Sequence, residues 1–559
     1  MNTSKKIKIA VYGNYAMQFL VKALRQKFKG TVVEAEIYEA GYDQTEMDFF
    51  YTESDLYKFA PDFILIHESA DNVKDKFYSS SVDERKLFAS VLIARLEQIG
   101  ALVEANLPHA KIIYPTWEAE DDMVYGNLSF KIPSSWGYQL REYNWLLVGL
   151  LRKHRCFSLI DINRIILGEA AKKNYALSIS ADLQFSLPVV NRLAKEVVQH
   201  INVFLFGAAK CIILDLDNTL WGGIIGDDGI DNIQVGNLGV GKAFTKLQTW
   251  LKELKERGII LTVCSKNNED VAKEPFLRHA DMVLKLEDIA VFVANWNNKA
   301  DNIRHIQSIL NIGFDSMVFL DDNPAERQIV KDNLPEVIVP DLPEDPAYYL
   351  PYLKELNLFE TTAVSANDKD RTKQYQEEAK RVEFSSRVTN IEEYLQSLEM
   401  KATIEPFKKE DYSRIAQLTQ RSNQFNLRTI RYSDADIERI ANDQAYLTLS
   451  VKLRDKFGDY GLISVLILNK QNDSMFIDTW LMSCRVMKRG VEQMVLNYLL
   501  KKTEEIGAIQ LTGEYIATSK NKLVERHYAD LGFENRDGLW LLKVSDDKRF
   551  NHFIKINHN

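Results

Sequence analysis

The sequence predicts an α/β chain of three domains. Its 559 residues suggest three or four domains, at about 150 residues per domain. Over the first ~355 residues, apolar strand-like runs alternate with helix-like runs, a pattern typical of parallel sheets. Hydrophobic residues make up 46% and charged residues 27%, close to the averages for globular proteins. This composition excludes wholesale disorder.

The first predicted domain covers residues 1–203 and resembles a doubly wound sheet. Four apolar runs read as buried strands: Ile7–Tyr12, Phe63–Ile66, Lys111–Tyr114 and Phe157–Asp161. Two longer segments between them read as helices: Asp83–Ile99 and Arg141–His154. Strands separated by helices favour a parallel sheet with helices on its faces.

The second predicted domain covers residues 204–357 and shows the same alternation more sharply. Its predicted strands are Cys211–Leu216, Ile259–Cys264 and Met317–Leu320. Apolar residues at steps of three and four predict an amphipathic helix over Val240–Arg257, which Gly258 ends. Asn323 and Pro324 have the residue types preferred at a helix N-cap and at the first helical position.

Residues 358–388 are polar and charged, and we interpret them as a partly helical linker. The last predicted domain, 389–559, has an α+β pattern. Its clearest strands are Tyr446–Leu453, Leu462–Leu468 and Met475–Met482.

Composition also limits the partners and the location. The 70 basic and 79 acidic residues leave a net charge of −9, which argues against a nucleic-acid-binding protein. Four cysteines are too few for a disulfide framework and indicate a reducing compartment. The N-terminus lacks the apolar region of a signal peptide, and the longest apolar runs are far shorter than the ~20 residues of a membrane span. We expect a soluble cytoplasmic protein with no membrane partner.

The most informative segment is DLDNT, which begins at Asp215 directly after a predicted strand. In open α/β sheets, ligands bind beyond the carboxyl ends of the strands. Two carboxylates two residues apart can divide the work there. Asp215 could attack phosphorus and hold a metal, while Asp217 could give and take a proton. Mg²⁺ suits such oxygen ligands.

A carboxylate attacks an anionic phosphate poorly unless cations screen the repulsion. The sequence supplies the missing groups in order. Ser265 follows the next strand with a hydroxyl that can bind phosphate oxygen, and Lys299 opens an amphipathic helix. Asp321 and Asp322 end the last strand of this region.

This order of motifs resembles the haloacid dehalogenase superfamily of phosphotransferases. The resemblance implies Asp215 as the nucleophile and Asp217 as the general acid/base, which points to phosphoryl chemistry rather than dehalogenation. It also implies a phosphate-binding group and a set of Mg²⁺ ligands. The phosphate-binding residues would be Thr219, Ser265, Lys266 and Lys299, and the metal would be held by Asp215, Asp217 through its carbonyl, and Asp321 or Asp322.

Residues 218–264 and 266–298 are too short to hold a large cap domain in addition to the helices that they contain. The site should therefore be open, with Gly222–Gly239 as a small flap. An open site favours a bulky or tethered substrate. Trp221, beside the motif, is interpreted as shaping the substrate entrance.

Longer strings resemble the FkbH-like family over nearly the full chain. They are Lys210–Gly229, Val263–Asn268, Leu320–Arg327 and Asn423–Thr429. The resemblance implies binding of 1,3-bisphosphoglycerate, passage of the glyceryl unit through an enzyme thioester, removal of phosphate, and delivery to an acyl carrier protein. Cys264, at a strand end, is the better candidate for the thioester, and Cys211 is the alternative. Both could equally be inert buried thiols.

The flanking domains resemble two further folds. Gly13-Asn14-Tyr15 resembles the first turn of SGNH-type hydrolases without their serine, so we expect a non-catalytic domain. The C-terminal region resembles GNAT acyltransferases, with a helix that starts after Gly490 and could bind a pyrophosphate. This resemblance implies contacts to coenzyme A or to the phosphopantetheine arm of a carrier from Arg485, Lys488, Arg489, Gly490 and Asn521. The alternative is a degenerate acyltransferase used for assembly.

Two enzymatic functions remain open on the sequence. The first is an Mg²⁺-dependent phosphatase and acyl-transfer enzyme that dephosphorylates a phosphoglyceryl-type substrate and loads it on an acyl carrier protein. The second is a phosphatase of another metabolite or of a polysaccharide precursor, with an independent N-acyltransferase domain.

Overall fold

The computed structural model describes most of the chain. The described residues are 5–168, 173–361, 371–386, 390–422, 424–471, 473–518, 521–544 and 549–557. Parts of the predicted linker (362–370 and 387–388), Asn423 of the fourth FkbH-like string and the N-terminal residues 1–4 therefore lie outside the described residues. The chain divides into two compact units, Met1–Leu205 and Phe206–Asn559.

Seventeen strands are present in the described residues. In chain order, β1 to β17, they are Lys5–Gly13, Val33–Glu39, Phe63–His67, Lys111–Pro115, Phe157–Ile160, Cys211–Leu214, Ile260–Ser265, Ile289–Ala294, Met317–Leu320, Lys401–Glu405, Tyr446–Arg454, Asp459–Gln471, Ser474–Met482, Gln510–Glu514, Glu534–Arg536, Leu539–Lys543 and Lys555–Asn557.

Twenty-two α-helices accompany these strands in the same residues. In chain order, α1 to α22, they are Gln18–Phe28, Thr45–Phe50, Asp55–Phe59, Ala70–Ser79, Val82–Arg85, Phe88–Asn106, Trp136–Lys153, Ile162–Leu167, Tyr175–Ala181, Leu187–Phe206, Ile225–Asp228, Gly241–Glu256, Glu269–Arg278, Lys299–Leu310, Pro324–Asn333, Tyr349–Leu356, Arg371–Ser386, Ile391–Ser397, Tyr412–Arg421, Asp434–Asn442, Val491–Glu505 and His527–Asp530. None of the helices in the described part of the chain has the length and apolar character that a bilayer crossing requires.

The first unit contains a five-stranded sheet in the order β2-β1-β3-β4-β5. All of its strand pairs are parallel. The last five residues of β1 and all five of β3 are buried, so side chains on both faces of these strands are covered. This is typical of a parallel sheet with helices on both sides. The predicted parallel sheet of this region is confirmed.

The first part of the second unit contains a four-stranded sheet in the order β8-β7-β6-β9. Its pairs are also parallel. Strand β6 is central, and all four of its residues are buried. Helix α12 lies between β6 and β7 in the chain, α13 between β7 and β8, and α14 between β8 and β9.

Two predicted helix boundaries in the first unit are wrong. The predicted helix Asp83–Ile99 is two helices, because Ser81 forms a capping box with Glu84 and starts the one-turn helix α5. Helix α6 starts only at Phe88 and continues to Asn106. Helix α7 starts five residues before the predicted Arg141, because the Ser135 hydroxyl caps it by accepting from Tyr138 N.

The stretch between β6 and α12 contains one short helix, α11. Gly222 and Gln234 form an isolated bridge that closes this stretch into a small loop. A stretch of this size holds no additional domain, so this insertion after β6 is a small loop, as the spacing predicted.

The rest of the second unit is built on an eight-stranded mixed sheet in the order β15-β16-β14-β13-β12-β11-β10-β17. Helix α17, from the segment predicted as a linker, packs between the two sheets of this unit. Its Tyr375 belongs to the apolar core beneath the four-stranded sheet. Its Arg381 forms a two-bond ion pair with Asp455, which follows β11 (2.8 and 2.9 Å).

Candidate active site

The candidate site lies at the carboxyl edge of the four-stranded sheet. Strand β6 is followed in sequence by β7 on one side of the sheet and is paired with β9 on the other, so this edge is a switch point of the type where α/β sheets bind ligands. Leu214 pairs with Leu320, and Asp215 N donates to Leu320 O at 2.9 Å. This register places Asp215 and Asp321 at the ends of adjacent strands.

Lys299 is the buried cation of the site. Its Nζ lies 2.9 Å from Asp215 Oδ1 and 2.5 Å from Asp321 Oδ2. The lysine is the first residue of α14, where Asn298 caps the helix by accepting from Ala300 N. One ammonium therefore joins two carboxylates that have little contact with water.

Burial and charge act in opposite directions on these groups. Burial raises the pKa of Asp215 to about 6, although Lys299 opposes the rise. Burial likewise raises the pKa of Asp321. Burial alone would lower the pKa of Lys299, but the two carboxylates raise it above its usual value. The lysine therefore stays charged, while the surplus of carboxylates leaves room for a further cation.

Asp322 lies beside this pair and is held by Thr219. Asp322 N donates to Thr219 Oγ1 at 3.1 Å, and the threonine hydroxyl donates back to Asp322 Oδ1 at 3.4 Å. Arg327 donates to the carbonyls of Asp321 and Asp322 at 2.9 and 2.6 Å. The loop after β9 is thus fixed from two sides.

Three carboxylates converge closely enough to share a metal ion. Asp215, Asp321 and Asp322 each offer an oxygen, and these oxygens lie within 4.8 Å of one another. Hard oxygen donors of this kind fit Mg²⁺. Burial raises the pKa of all three carboxyls. A bound divalent cation would lower these pKa values again and stabilise the carboxylate forms. The residues therefore fit the ion that the sequence predicts. The side chain of Asp217 is not in this carboxylate group.

Asp217 is instead held by three N–H donors. Trp221 Nε1 and Ile225 N donate to its Oδ1, each at 3.0 Å. Asn267 Nδ2 donates to its Oδ2 at 2.8 Å. Trp221 is fully buried, so its side chain does not line an exposed surface. Its indole N–H fixes the carboxylate of Asp217.

Ser265 ends β7, Lys266 follows it, and the two side chains differ in their surroundings. Ser265 is buried, hydrogen-bonds to the Asp215 carboxyl and lowers its pKa. Its hydroxyl also accepts from Asn267 Nδ2 at 3.3 Å. Lys266 is partly exposed and pairs with Glu326 at 2.6 Å, so its charge is already compensated.

Cys264 and Cys211 lie in the apolar core on one face of the sheet. Cys264 Sγ lies 3.8 Å from Lys299 O, and Cys211 Sγ lies 3.8 Å from Thr262 Oγ1. Burial raises the pKa of both thiols to about 12. A thioester-forming cysteine reacts as a thiolate, and the surroundings of both residues favour the neutral thiol.

The two arginines predicted to bind coenzyme A or phosphopantetheine, Arg485 and Arg489, contact helix α17. Arg485 donates to Gln374, and Arg489 pairs with Glu378 and donates to Tyr460. Arg489 also lies 4.0 Å from Asp455. Both guanidinium groups are buried in these contacts, so they would have to leave them to bind a phosphate.

The start of helix α21 is also engaged within the chain. Gly490 is its N-cap with φ of 82°, and Lys488 has φ of 61°. Lys488 N donates to the Glu492 carboxylate at 3.3 Å. An internal carboxylate thus occupies a donor that a pyrophosphate would need, and as arranged these residues do not fit coenzyme A.

Asn521 holds a loop of its own chain. Its Nδ2 donates to the carbonyls of Asn426 and Ile516 at 3.0 and 2.9 Å. The segment around Asn426 continues along strand β13, where Met482 N donates to Phe425 O at 3.1 Å. The described part of the NQFNLRT string therefore lies on the edge of β13, beyond the last pair that β13 makes with β14.

Sequence reasoning missed Asn267 and the role of Trp221. Both residues lie in the segments that resemble the FkbH-like family. Asn267 is two residues from Ser265 and Trp221 is four from Asp217, but these spacings do not indicate which atoms form hydrogen bonds. The signal available was weak: Asn267 follows a strand end by two residues, where polar side chains face the edge of the sheet.

The fold and the site define the class of the second unit: an α/β domain whose sheet edge carries clustered carboxylates and one buried lysine. The FkbH N-terminal domain family matches residues 8–202. A crystal structure of the N-terminal part of the protein BF1531 from Bacteroides fragilis, containing a phosphatase domain complexed with Mg, is similar at 42% identity with a TM-score of 0.61. The match covers 64% of this chain and 95% of that one. The chain belongs to the FkbH-like family.

Two N-acetyltransferase structures also resemble part of the chain. The ribosomal-protein-S18-alanine N-acetyltransferase from Escherichia coli is 16% identical, covering 27% of this chain and 99% of its own, with a TM-score of 0.21. Spermidine N-acetyltransferase from Vibrio cholerae is 14% identical, covering 26% and 96%, also with a TM-score of 0.21. Similarities of this size carry no argument about activity. No curated protein matches the chain.

Proposed function

We propose that this protein is an Mg²⁺-dependent phosphatase of the haloacid dehalogenase type that works through an aspartyl-phosphate on Asp215. The observation that carries the proposal is the contact of buried Lys299 with both Asp215 and Asp321, beside the three clustered carboxylates. The Bacteroides fragilis relative, which contains a phosphatase domain complexed with Mg, supports it.

Asp215 is the nucleophile. One of its oxygens forms a bond to phosphorus as the bond between phosphorus and the leaving oxygen breaks. The reaction brings an anion to a carboxylate, so positive charge must be present first. Lys299 supplies one charge from 2.9 Å, and Mg²⁺ bound by Asp215, Asp321 and Asp322 would supply electrostatic stabilisation of the phosphoryl oxygens.

Asp217 moves the protons. It gives a proton to the leaving oxygen in the first step. In the second step it takes a proton from water, whose oxygen bonds to phosphorus as the bond to Asp215 breaks. Inorganic phosphate leaves and the Asp215 carboxylate is restored. Ser265 donates a hydrogen bond to a phosphoryl oxygen, and Thr219 orients Asp322 rather than binding phosphate directly.

The substrate is proposed to be a phosphoglyceryl-type compound whose acyl unit passes to an acyl carrier protein. Membership of the FkbH-like family supports this. The small loop over the site, which contains only α11, supports access by a bulky or tethered substrate. We assign no step of this transfer to Arg485 or Arg489, because both arginines are buried against α17.

The thioester route needs its own test, because Cys264 is buried as a thiol. If Cys264 carries the glyceryl unit, then Cys264→Ala abolishes loading of the carrier and spares release of phosphate. Cys211→Ala is the matched control, since its thiol lies in the same core with the same pKa of about 12. Loading that survives in the Cys264 variant would contradict this part of the proposal.

The experiment for the whole proposal uses the full chain, Mg²⁺, 1,3-bisphosphoglycerate and a carrier protein bearing phosphopantetheine. Phosphate release is measured together with the mass of the carrier. We expect phosphate release beyond the one equivalent that leaves when the acyl-phosphate bond breaks, together with a glyceryl mass increase, and both are lost in Asp215→Asn. Phosphate release without a mass increase would favour the alternative, a phosphatase of another metabolite or of a polysaccharide precursor. No magnesium-dependent release from any phosphate ester would contradict the phosphatase itself.

A further inference from the structure

Two adjacent asparagines follow strand β7, and they have different surroundings. Asn268 is exposed and caps helix α13 by accepting from Asp270 N at 3.1 Å. Asn267 is 4% exposed and makes no helix cap. Its amide instead faces the groups of the candidate site. A buried amide that is not needed for the helix calls for another explanation.

The two N–H bonds of Asn267 Nδ2 point to two different groups of the site. One is given to Asp217 Oδ2 at 2.8 Å, and the other to Ser265 Oγ at 3.3 Å. A single amide nitrogen thus joins the proposed proton-transfer carboxylate to the proposed phosphate-binding hydroxyl. An amide nitrogen can only donate, so the direction of both bonds is fixed.

The direction of the bond to Ser265 has a consequence. A serine hydroxyl has one O–H to donate. Because Ser265 Oγ accepts from Asn267, its own O–H is directed to another acceptor, which is the Asp215 carboxyl in this structure and would be a phosphoryl oxygen when substrate is bound. Asn267 therefore sets the orientation of the hydroxyl toward the phosphoryl group.

The bond to Asp217 completes a cradle around that carboxylate. Trp221 and Ile225 hold Oδ1, and Asn267 holds Oδ2. The first two donors belong to the residues just after Asp217 and to its small loop, so Asn267 is the donor that ties this carboxylate to β7. Without it, the carboxylate could rotate away from the leaving group.

We propose that Asn267 is a positioning residue that aligns Asp217 and Ser265 with each other for phosphoryl transfer. This inference rests on the proposed function. Asn267 acts through the two groups it holds and does not itself react. In the first step the proton moves from Asp217 to the leaving oxygen, and the alignment decides how readily that proton is delivered.

The dependence on the leaving group distinguishes positioning from a general structural role. An alkyl oxygen needs a proton as its bond to phosphorus breaks, whereas p-nitrophenolate leaves as a stable anion. A variant with a misplaced Asp217 should therefore lose more activity on alkyl phosphates than on p-nitrophenyl phosphate. Damage to the fold alone would lower both by the same factor.

The experiment compares kcat/KM of the full chain with Mg²⁺ for an alkyl phosphate and for p-nitrophenyl phosphate. The variants are Asn267→Ala, Asn267→Leu and the control Asn268→Ala. For both Asn267 variants we expect a loss of roughly 100-fold on the alkyl ester and of roughly 10-fold or less on the aryl ester. The control keeps the wild-type ratio. Asn267→Leu has nearly the same shape but cannot donate at any pH, so it serves if the alanine variant does not fold.

The outcomes separate the two claims. Equal losses on both esters, or none, in folded Asn267 variants would overturn the positioning role while wild-type turnover leaves the proposed function standing. If the wild-type protein hydrolyses neither ester with Mg²⁺, the proposed function fails, and this inference fails with it.

Discussion

Both units of this protein contain a parallel sheet with a switch point at its carboxyl edge, yet the two edges carry different chemistry. In the first unit, Asn14 directly follows β1 and His67 ends β3, and both side chains are neutral and hydrogen-bonded within the edge. Asn14 bonds the backbone of Ser69 through both ends of its amide, and Tyr15 OH lies 2.7 Å from His67 Nδ1. In the second unit, β6 and β9 are each followed directly by a carboxylate that contacts one lysine.

The comparison shows that a parallel sheet positions side chains at its carboxyl edge, and that the chemistry of these side chains determines which reaction the edge can support. Burial at the first edge keeps groups neutral, lowering the pKa of His67 to about 3. Burial at the second edge is opposed by Lys299, and the clustered carboxylates can take a cation. Among the described residues, the second edge is where three carboxylates gather beside a buried lysine, so changes there should alter phosphoryl transfer.

The largest expected effect is at Asp215. Asp215→Asn removes the nucleophile without changing the shape of the side chain, so turnover should fall by about 10⁴-fold or more. Initial rates with a phosphate ester and Mg²⁺ measure this. The control Asp231→Asn, exposed in the small loop, should keep wild-type turnover. A modest loss in Asp215→Asn would show that another group attacks phosphorus.

The next effect is on stability and concerns Lys299. Lys299→Met leaves two buried carboxylates without their shared cation, which should lower the free energy of unfolding by about 3–5 kcal/mol. Added Mg²⁺ should recover part of this loss, because it replaces the missing charge. Thermal unfolding with and without Mg²⁺ tests this, with exposed Lys242→Met as the control. If Mg²⁺ recovers none of the stability that Lys299→Met loses, a metal site at these carboxylates is contradicted.

His67 tests the first edge. Its pKa is lowered by burial from 6.5 to about 3, so the unfolded chain binds the proton first. The neutral His67 therefore contributes fully to the free energy of unfolding above pH 6.5. This contribution, of the order of a few kcal/mol, is lost as the pH falls toward 3. His67→Gln should make unfolding less sensitive to acid without altering phosphatase turnover. The exposed His109→Gln is the control; equal pH dependence in both variants would contradict the account.

The smallest contrast is between Ser265, the last residue of β7, and Lys266, which follows it. Ser265→Ala should lower kcat/KM by roughly 10- to 100-fold, because its hydroxyl bonds the nucleophile and faces the phosphoryl group. Lys266→Ala should lower it less than about threefold, because Lys266 is partly exposed and paired with Glu326. Steady-state kinetics on one phosphate ester decide between them. A larger loss for Lys266 would make that lysine a phosphate ligand.

Much of the second unit's edge could be predicted from the sequence, because it depends on local order. Strand β9 matches its predicted bounds, Met317–Leu320, and Asn323 caps α15 through Ala325 N as its residue type indicates. Parallel strands bring their carboxyl ends together, so Asp215 and Asp321 had to be near one another. These inferences need only the strand periodicity and the direction of the chain.

The rest depends on partners that are distant in sequence. Nothing in the sequence near Arg485 or Arg489 indicates that both side chains hydrogen-bond to α17, which lies more than a hundred residues earlier. The Asn267 amide could have bonded any neighbour, and only the fold shows that it joins Asp217 to Ser265. The position of Cys264 near a strand end made it the better thioester candidate in the sequence. In the structure its side chain lies in the apolar core.

The most direct test of the central claim is ¹⁹F NMR of the full chain with beryllium fluoride and Mg²⁺, since fluoroberyllate imitates a phosphoryl group on a carboxylate. The account predicts one bound fluoroberyllate per chain that requires Mg²⁺ and disappears in Asp215→Asn. A bound signal that persists in Asp215→Asn, or a folded wild-type protein that binds none, would contradict an aspartyl-phosphate at Asp215.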